Sequence, residues 1–399
     1  MLGIRHYSPS SSTGKKNGKI DLQQDSTTDD LFRCCLYLGT ATQVCMRCAS
    51  FRARGLAELE RKTGSIPWTK ILKPDSNIEL RVASSKSKLY HTGAIRDRVL
   101  RGIDQHFGRQ GTFGDEGEKS SSNNLPTVLL DVNVFKDQIQ ISVNAHSIPL
   151  HQRGYRKEVA KAPLREDLAF AMLVVAGLTP AWTLEDQYMT RSEWKGLVDP
   201  FCGSGTIAIE GAAMVMGLPP GRLRDRSPFQ GTLLEDTQNW SAIVNRSLAA
   251  ADTKKFDQNS FSISASDRDL GAVEAAKANA KRAGVLGALT IERAPFSSQR
   301  WFEDPSESPS SLLVVTNPPF GKRISSKSSA TGLLTLYQRL GHFMQFLARD
   351  HGRRLCGVVL TDNPGVVVRS GSQLSFKTRF KTFHGGLKVS AMKFDSNSP

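Results

Sequence analysis

Six cysteines in 399 residues, at positions 34, 35, 45, 48, 202 and 356, are too few and too unevenly spaced for the disulfide framework of a secreted domain. A reducing, intracellular setting is therefore expected, cytoplasmic or organellar. Cys45-x-x-Cys48 has the spacing of half a zinc or redox site, but no second Cys/His pair accompanies it. Both residues fall in a stretch that scans as an apolar helix, so they are assigned to the core and no metal is expected. No apolar run reaches the length of a membrane helix. Leu168–Leu178, the most apolar helical segment, is too short and follows charged residues, which argues against a membrane partner. Internal repeats are also absent. Acid is scarce beside base, 38 Asp+Glu against 53 Lys+Arg for a formal charge of +15, which favours a polyanionic partner through counterion release. A well-solvated basic surface has the same composition, so the motifs must decide.

The first twenty residues carry Arg5, Lys15, Lys16 and Lys19, many serines and no acid before Asp21. That composition suits an organelle transit peptide and equally a disordered, solvated leader, assigned here to residues 1–30. Residues 31–150 scan as an α+β module. Leu36–Leu38 is expected as a strand, Gln43–Lys62 as a helix, Ile78–Ala83 as a strand and Arg96–His106 as a helix. Val128–Val134 and Ile139–Val143 should form a hairpin turning at Lys136-Asp137-Gln138, and Gly108–Asn124 a loop.

Residues 151–395 change character, alternating helix and strand as an α/β doubly wound, Rossmann-like sheet requires. Helices are expected at Leu164–Gly177, Thr206–Met216, Leu270–Ala283 and Leu333–Ala348. Buried strands are expected at Leu197–Asp199, Phe261–Ser266, Leu312–Val315 and Gly357–Leu360, and a terminal antiparallel hairpin at Phe376–Phe383 and Leu387–Phe394. Pro219–Ser260 is a long insertion between the first two strands.

Two runs close apolar strands where ligands collect in open parallel sheets: Asp199-Pro-Phe-Cys-Gly-Ser-Gly-Thr206 and Thr316-Asn-Pro-Pro-Phe-Gly321. In the first, glycines permit close backbone approach and the helix from Thr206 offers its amides to a carboxylate; without a following Lys, a phosphate loop is poorly supported. A methionine carboxylate and amine beside a ribose suit it better. Asp267, ending the next strand, can accept both ribose hydroxyls, while Asp269 is expected to cap the helix that follows. The second run answers a chemical difficulty: a ring amine is a poor nucleophile because its lone pair is delocalised. The Asn317 side-chain oxygen and the Pro318 carbonyl can accept its N–H groups and aim it, Phe320 can stack on the base, and the prolines, Pro319 included, stiffen the backbone. Together the runs describe methyl transfer to an exocyclic amine.

Further elements carry a family resemblance: Leu150-His-Gln-Arg-Gly-Tyr-Arg156, Ala162-Pro-Leu-Arg-Glu166, Gly217-Leu-Pro-Pro-Gly221, Ser266-Asp-Arg-Asp269, Ala278-Asn-Ala280 and Leu336-Tyr337. With them, from about Leu31 to Phe394, the chain resembles the THUMP-containing RNA guanine-N2 methyltransferases, most of all the bacterial type acting on large-subunit ribosomal RNA. Asn-Pro-Pro-Phe alone is also shared with adenine-N6 and protein-glutamine methyltransferases. The resemblance implies a class I methyltransferase sheet with a terminal antiparallel hairpin, preceded by a ferredoxin-like/THUMP RNA-binding module, and S-adenosyl-L-methionine as cofactor.

It further implies cofactor contacts from Asp199, Phe201, Gly203, Gly205, Thr206, Asp267, Pro163 and Glu166, and catalytic roles for Asn317, Pro318, Pro319 and Phe320. RNA contacts are expected from Lys86, Lys88, Arg96, Arg98 and Arg101, with Arg153 and Arg156. The expected activity is transfer to the N2 amine of a guanosine without a covalent enzyme intermediate, ribosomal RNA preferred to tRNA. Alternatives are a tRNA guanosine-N2 or adenine-N6 methyltransferase, or an RNA-binding assembly factor whose cofactor site has decayed. Two departures stand out: Ala294-Pro-Phe296 replaces the acid expected near the cofactor adenine, and the family's opening strand and helix are not evident before Leu31.

Overall fold

The computed structural model describes residues 7–9, 20–22, 26–109, 126–158, 163–183, 193–253, 260–296, 310–320, 328–350, 352–369 and 374–396. Contacts divide the chain into two units. One takes the chain up to Leu150 together with Arg224–Asn245; the other takes His151–Leu223 and the chain from Arg246 on.

The first unit begins with two short strands, β1 (Tyr7–Pro9) and β2 (Ile20–Leu22), paired antiparallel. These residues were expected to be disordered; Asp21 on β2 instead reaches Arg47 at 2.6 Å, so an acid–base contact anchors the pair. Helix α1 (Thr28–Tyr37) replaces the strand expected at Leu36–Leu38. Its start explains why: the Thr27 hydroxyl accepts from Asp30 N–H while the Asp30 carboxylate accepts from Thr27 N–H, a reciprocal cap that commits the following turn to a helix. The helix expected over Gln43–Lys62 is in fact β3 (Cys45–Arg52) followed by α2 (Leu56–Gly64). Pairing of β3 with a distant strand overrides its local pattern.

Strand β4 (Asn77–Ser85), helix α3 (Thr92–His106) and the hairpin β5 (Thr127–Phe135) and β6 (Gln138–Asn144) match expectation. Lys136 and Asp137 take φ values of 50° and 62°, the left-handed backbone that a tight hairpin turn needs. The sheet order is β3-β6-β5-β4, with β4 and β5 parallel and the other pairs antiparallel. Most of the loop expected over Gly108–Asn124 lies outside the described residues. The insertion contributes directly to this core: Phe229, Trp240 and Ile243 are buried in it, and Phe32 lies 6.4 Å from the Phe229 ring and 6.2 Å from the Trp240 ring. Arg224–Asn245, expected with the following domain from its place in the chain, therefore packs with the preceding one.

In the second unit come α4 (Glu166–Ala176), β7 (Gly196–Asp199), α5 (Thr206–Val215), α6 (Thr237–Thr253, begun in the inserted segment), β8 (Ser262–Asp267) and α7 (Leu270–Arg282). There follow β9 (Thr290–Arg293), β10 (Ser311–Thr316), α8 (Ser328–Gln345), β11 (Arg354–Thr361), α9 (Pro364–Val368), β12 (Lys377–His384) and β13 (Leu387–Asp395). The sheet runs β12-β13-β11-β10-β7-β8-β9, parallel except where β13 enters between β11 and β12. This is the Rossmann-like methyltransferase sheet with its terminal antiparallel hairpin. β7 and β10 are buried along their whole length, as central parallel strands covered on both faces must be. One cluster packs α4, α5 and α7 on one face, and another packs α8 on the other. No helix among the described residues is long and apolar enough to cross a membrane.

Behind α5 lies a buried polar network. Arg153, 1% exposed, sets its Nε 3.7 Å from Glu210 Oε2, and the Tyr155 hydroxyl donates to Glu210 Oε1 at 2.9 Å. Arg156 donates to the Leu164 carbonyl at 2.6 Å and to Glu166 Oε2 at 2.9 Å. Arg153 is thus a core residue and no RNA contact, and Arg156 is engaged within the fold. Removing one member of a buried ion pair leaves the other uncompensated. Glu210→Ala should destabilise the protein by about 3–5 kcal/mol in urea unfolding, whereas an Arg153→Met/Glu210→Leu double variant should recover most of the loss.

Candidate functional site

Neighbouring parallel strands set their carboxyl ends side by side, and the register Val314↔Val198 brings the end of β10 against the end of β7. Thr316 is fully buried there, and its hydroxyl donates to Asp199 Oδ1 at 2.9 Å. Phe201 N–H donates to the same oxygen at 3.3 Å. Asp199 Oδ2 is buried with no partner. Burial pushes the Asp199 carboxyl up to about 7 against the pull of these hydrogen bonds, and nearby Asp267 pushes the same way.

Beyond Asp199 the chain turns into α5. Gly203 and Gly205 have φ values of 52° and 86°, and a side chain on Gly205 would press on Ala276, whereas beside Gly203 the space is open. No side chain caps α5, which leaves its first amides available to an anionic group. Asp267 closes the turn: its Oδ2 accepts from Gly203 N–H and its Oδ1 from Asp269 N–H, both at 3.0 Å. Asp269 caps α7 through Ala272 N–H at 3.1 Å, the expected role. A buried carboxylate oxygen without a partner, open space at Gly203, uncapped amides and a second carboxylate fit the ammonium, carboxylate and ribose of S-adenosylmethionine.

Asn317 follows Thr316 directly, and its Oδ1 is buried and unpartnered. Pro318 is buried and Pro319 exposed. Phe320 departs from expectation: it is 3% exposed and packed into the core, with the His384 ring edge-on at 6.2 Å, so it offers no open face to a base. Glu166 is likewise spent. Only 1% exposed, it is bound to Arg156, and burial raises its carboxyl to about 7 although Arg156 opposes the shift. Pro163, half-buried, precedes it on the approach to α4.

Phe296 ends the run Ala294-Pro-Phe296 that stands in place of the expected acid, and is 8% exposed with its ring 5.2 Å from that of Phe201. Asn279 was marked in the sequence only by the family resemblance. Fully buried, it donates to the Ser204 and Glu158 carbonyls at 3.1 and 3.0 Å and accepts from Lys157 N–H at 3.3 Å, pinning the segment after Arg156 to the glycine loop. A polar residue ending an apolar run was the one sequence signal for Thr316; for Asn279 there was none beyond the resemblance.

The first unit carries the other expected residues. Lys86, Lys88, Arg96 and Arg101 are exposed, whereas Arg98 is held by Glu60 at 2.7 Å and is less free to meet a phosphate. Cys45 and Cys48 lie on a strand rather than a helix, and Cys45 Sγ is 3.0 Å from Asn144 Oδ1. All six cysteines are free, and no metal-binding cluster is present among the described residues.

A carboxyl whose folded pKa is raised favours folding while neutral, and that advantage is lost as pH rises from the ordinary carboxylate range through about 7. Asp199→Asn should therefore be more stable than the parent above this range, with the difference closing as pH falls. Its affinity for S-adenosylmethionine should drop over the same interval, because the anion is gone. Thermal melts across pH paired with calorimetry check both signs; a variant that loses stability and affinity together would mean Asp199 is a packing residue.

Comparison with known proteins agrees with this geometry. The ribosomal RNA large subunit methyltransferase K/L of Saccharophagus degradans is 28% identical over 372 residues, covering 92% of this chain and 46% of its own length. The chain thus spans about half the length of the K/L relatives it matches. The Synechocystis protein slr0064, provisionally named an RNA methyltransferase, is 26% identical with 92% and 86% of the two chains covered. Among solved structures, SMU.472, provisionally a methyltransferase and complexed with SAH, superposes with a TM-score of 0.72 at 24% identity, covering 92% of this chain and 87% of its own. TrmN from Thermus thermophilus gives 0.60 at 18%, with 96% and 90% covered. At such identities these two likenesses carry the fold. The family model described as UPF0020, RMKL-like, methyltransferase domain, matches residues 153–386, and the chain belongs to that family, with a methyltransferase domain.

Proposed function

We propose that the protein methylates RNA at the N2 amine of a guanosine, with large-subunit ribosomal RNA the preferred substrate. The observation that carries the reading is Asn317 Oδ1, a buried acceptor with no partner at the carboxyl end of β10, one residue beyond the Thr316 that binds Asp199. A buried acceptor left unmade is costly unless a ligand completes it, and an exocyclic amine N–H is the complementary donor. Adenine N6 would satisfy the same oxygen. The choice of guanosine rests on the resemblance, and that of ribosomal RNA also on the K/L relatives' names.

S-adenosylmethionine, when bound, supplies an electrophilic methyl group. Asp199, Gly203, Gly205, Thr206 and Asp267 hold it, with Phe201 and Phe296 as apolar wall. Asn317 and the Pro318 carbonyl accept the amine hydrogens and fix its lone pair in one direction, and Pro319 stiffens the turn. Phe320 braces the loop from beneath. The residues up to Leu150 form the RNA-holding module, THUMP-like in its resemblance, where Lys86, Lys88, Arg96 and Arg101 meet phosphates and Arg98 assists through its remaining donors.

Asn317→Ala should lower turnover by about 100-fold with cofactor affinity retained, since positioning is lost and the carboxylate pair is not. Single-turnover kinetics on RNA from cells lacking the protein measure it, and nucleoside mass spectrometry of that RNA identifies the base. Unchanged turnover removes Asn317 from the mechanism, and a product other than N2-methylguanosine overturns the base assignment.

A further inference from the structure

The outermost strand of the methyltransferase sheet, β12, is an edge with no strand beyond it among the described residues. β13 runs antiparallel to β11 and β12 antiparallel to β13, so β12 points the same way as β11, β10 and β7. Its carboxyl end, Phe383-His384, therefore lies along the same edge of the sheet as Asp199 and Asn317. The contact between His384 and Phe320 ties that end to the Asn-Pro-Pro-Phe loop.

The composition of this edge is unusual. Lys377, Arg379, Lys381 and Phe383 are all exposed, while Phe380 is half-buried against the core and His384 is buried. A register shift between Thr378 and Phe380 marks a bulge at Arg379, which puts Lys377 on the opposite face of the sheet from Lys381 and Phe383. Lys388, also exposed, stands directly opposite Phe383 on β13. Lys377, Arg379, Lys381 and Lys388 form no ion pair with a described residue. Lysines on an edge strand discourage pairing with another sheet. A phenylalanine left 68% exposed among them works against that purpose.

We propose that the outer edge of β12 is an RNA-binding surface of the methyltransferase unit itself: Phe383 stacks on a base beside the target nucleotide, and Arg379, Lys381 and Lys388 hold the adjoining phosphates. This rests on the RNA reading above and adds a second contact region to the basic residues of the first unit. An aromatic face beside basic side chains is the general pattern for single-stranded nucleic acid, because every base has a π-face and every linkage a charge. The phosphate track leads up the strand, and the stacking ring sits at its upper end, nearest the loop that receives the amine. Phe320 has no open face, whereas Phe383 presents one.

The test uses the full chain and a short labelled single-stranded RNA of mixed sequence, with affinity followed by fluorescence anisotropy across a salt series. Phe383→Ala should weaken binding roughly tenfold with an unchanged salt slope, because stacking releases no counterions. An Arg379→Gln/Lys381→Gln/Lys388→Gln variant should flatten the log–log slope by about 0.7 for each phosphate no longer neutralised, roughly two units in all. S-adenosylmethionine affinity, by calorimetry, should match the parent in both variants. If both bind the RNA like a parent that binds it well, the surface is not an RNA contact and the proposal falls while the RNA reading stands. A parent that neither binds nor methylates RNA overturns the two together. Loss of self-association in ultracentrifugation, with RNA affinity unchanged, would assign the edge to a second copy of the chain and also overturn the proposal.

Discussion

The buried hydrogen bond from the Thr316 hydroxyl to Asp199 joins the ends of two strands that are far apart in sequence and adjacent in the sheet. Each of the two motifs is incomplete alone. The glycine loop can hold an anionic group but has nothing to present a nucleophile, and the Asn-Pro-Pro-Phe loop can orient an amine but has nothing to react it with. Thr316 settles their relative position because its hydroxyl donates to one carboxylate oxygen and leaves the other open. A one-residue slip of β10 against β7 would turn Thr316 to the opposite face and move Asn317 with it. The polar residues that bound the apolar run of β10 oppose that slip, because Ser311 would lose the Glu193 carbonyl and Thr316 would lose Asp199.

The second constraint is the cost of buried charge. Asp199 and Glu166 are both pushed to about 7 by burial, and Arg153 and Glu210 are enclosed together. The fold meets this cost in two ways. Glu166 and Glu210 are given arginine and tyrosine partners and become struts; Asp199 is left with one unsatisfied oxygen and becomes a receptor. Asn279 links these regions by holding the segment after Arg156 against Ser204 of the glycine loop. Arg153 and Tyr155 of the Arg153-Gly-Tyr-Arg156 motif accordingly support the site from the interior of the fold.

Local chemistry made much of this legible in advance. Glycine and acid in Asp199–Thr206, the paired prolines of the Asn317 loop and the helix–strand alternation after Leu150 each reflect interactions among near neighbours in the chain. Such patterns survive in any tertiary context that keeps the sheet, so sheet, hairpin and both loops could be placed from the chain alone. The errors share a cause. Cys45–Arg52 scanned as a helix because its period is weak; it is a strand because β6 pairs with it from almost a hundred residues away. Leu36–Leu38 was apolar enough for a strand, but the cap at Thr27 had already set the helix.

Residue identity and spacing by themselves determined the class of the second unit, the pair of loops that make its site and the basic character of the whole chain. Tertiary structure alone decided which side chains are free to act. Arg153 and Arg156 have the same formula as a surface phosphate ligand, yet one is enclosed with Glu210 and the other tied to Glu166. Phe320 and Phe383 are the same ring, one packed into the core at the Asn-Pro-Pro-Phe loop and one exposed at the end of an edge strand. Burial and pairing are properties of neighbours brought together across the chain. A motif names the chemistry a residue can perform, and only packing shows whether its donors, acceptors or faces remain open.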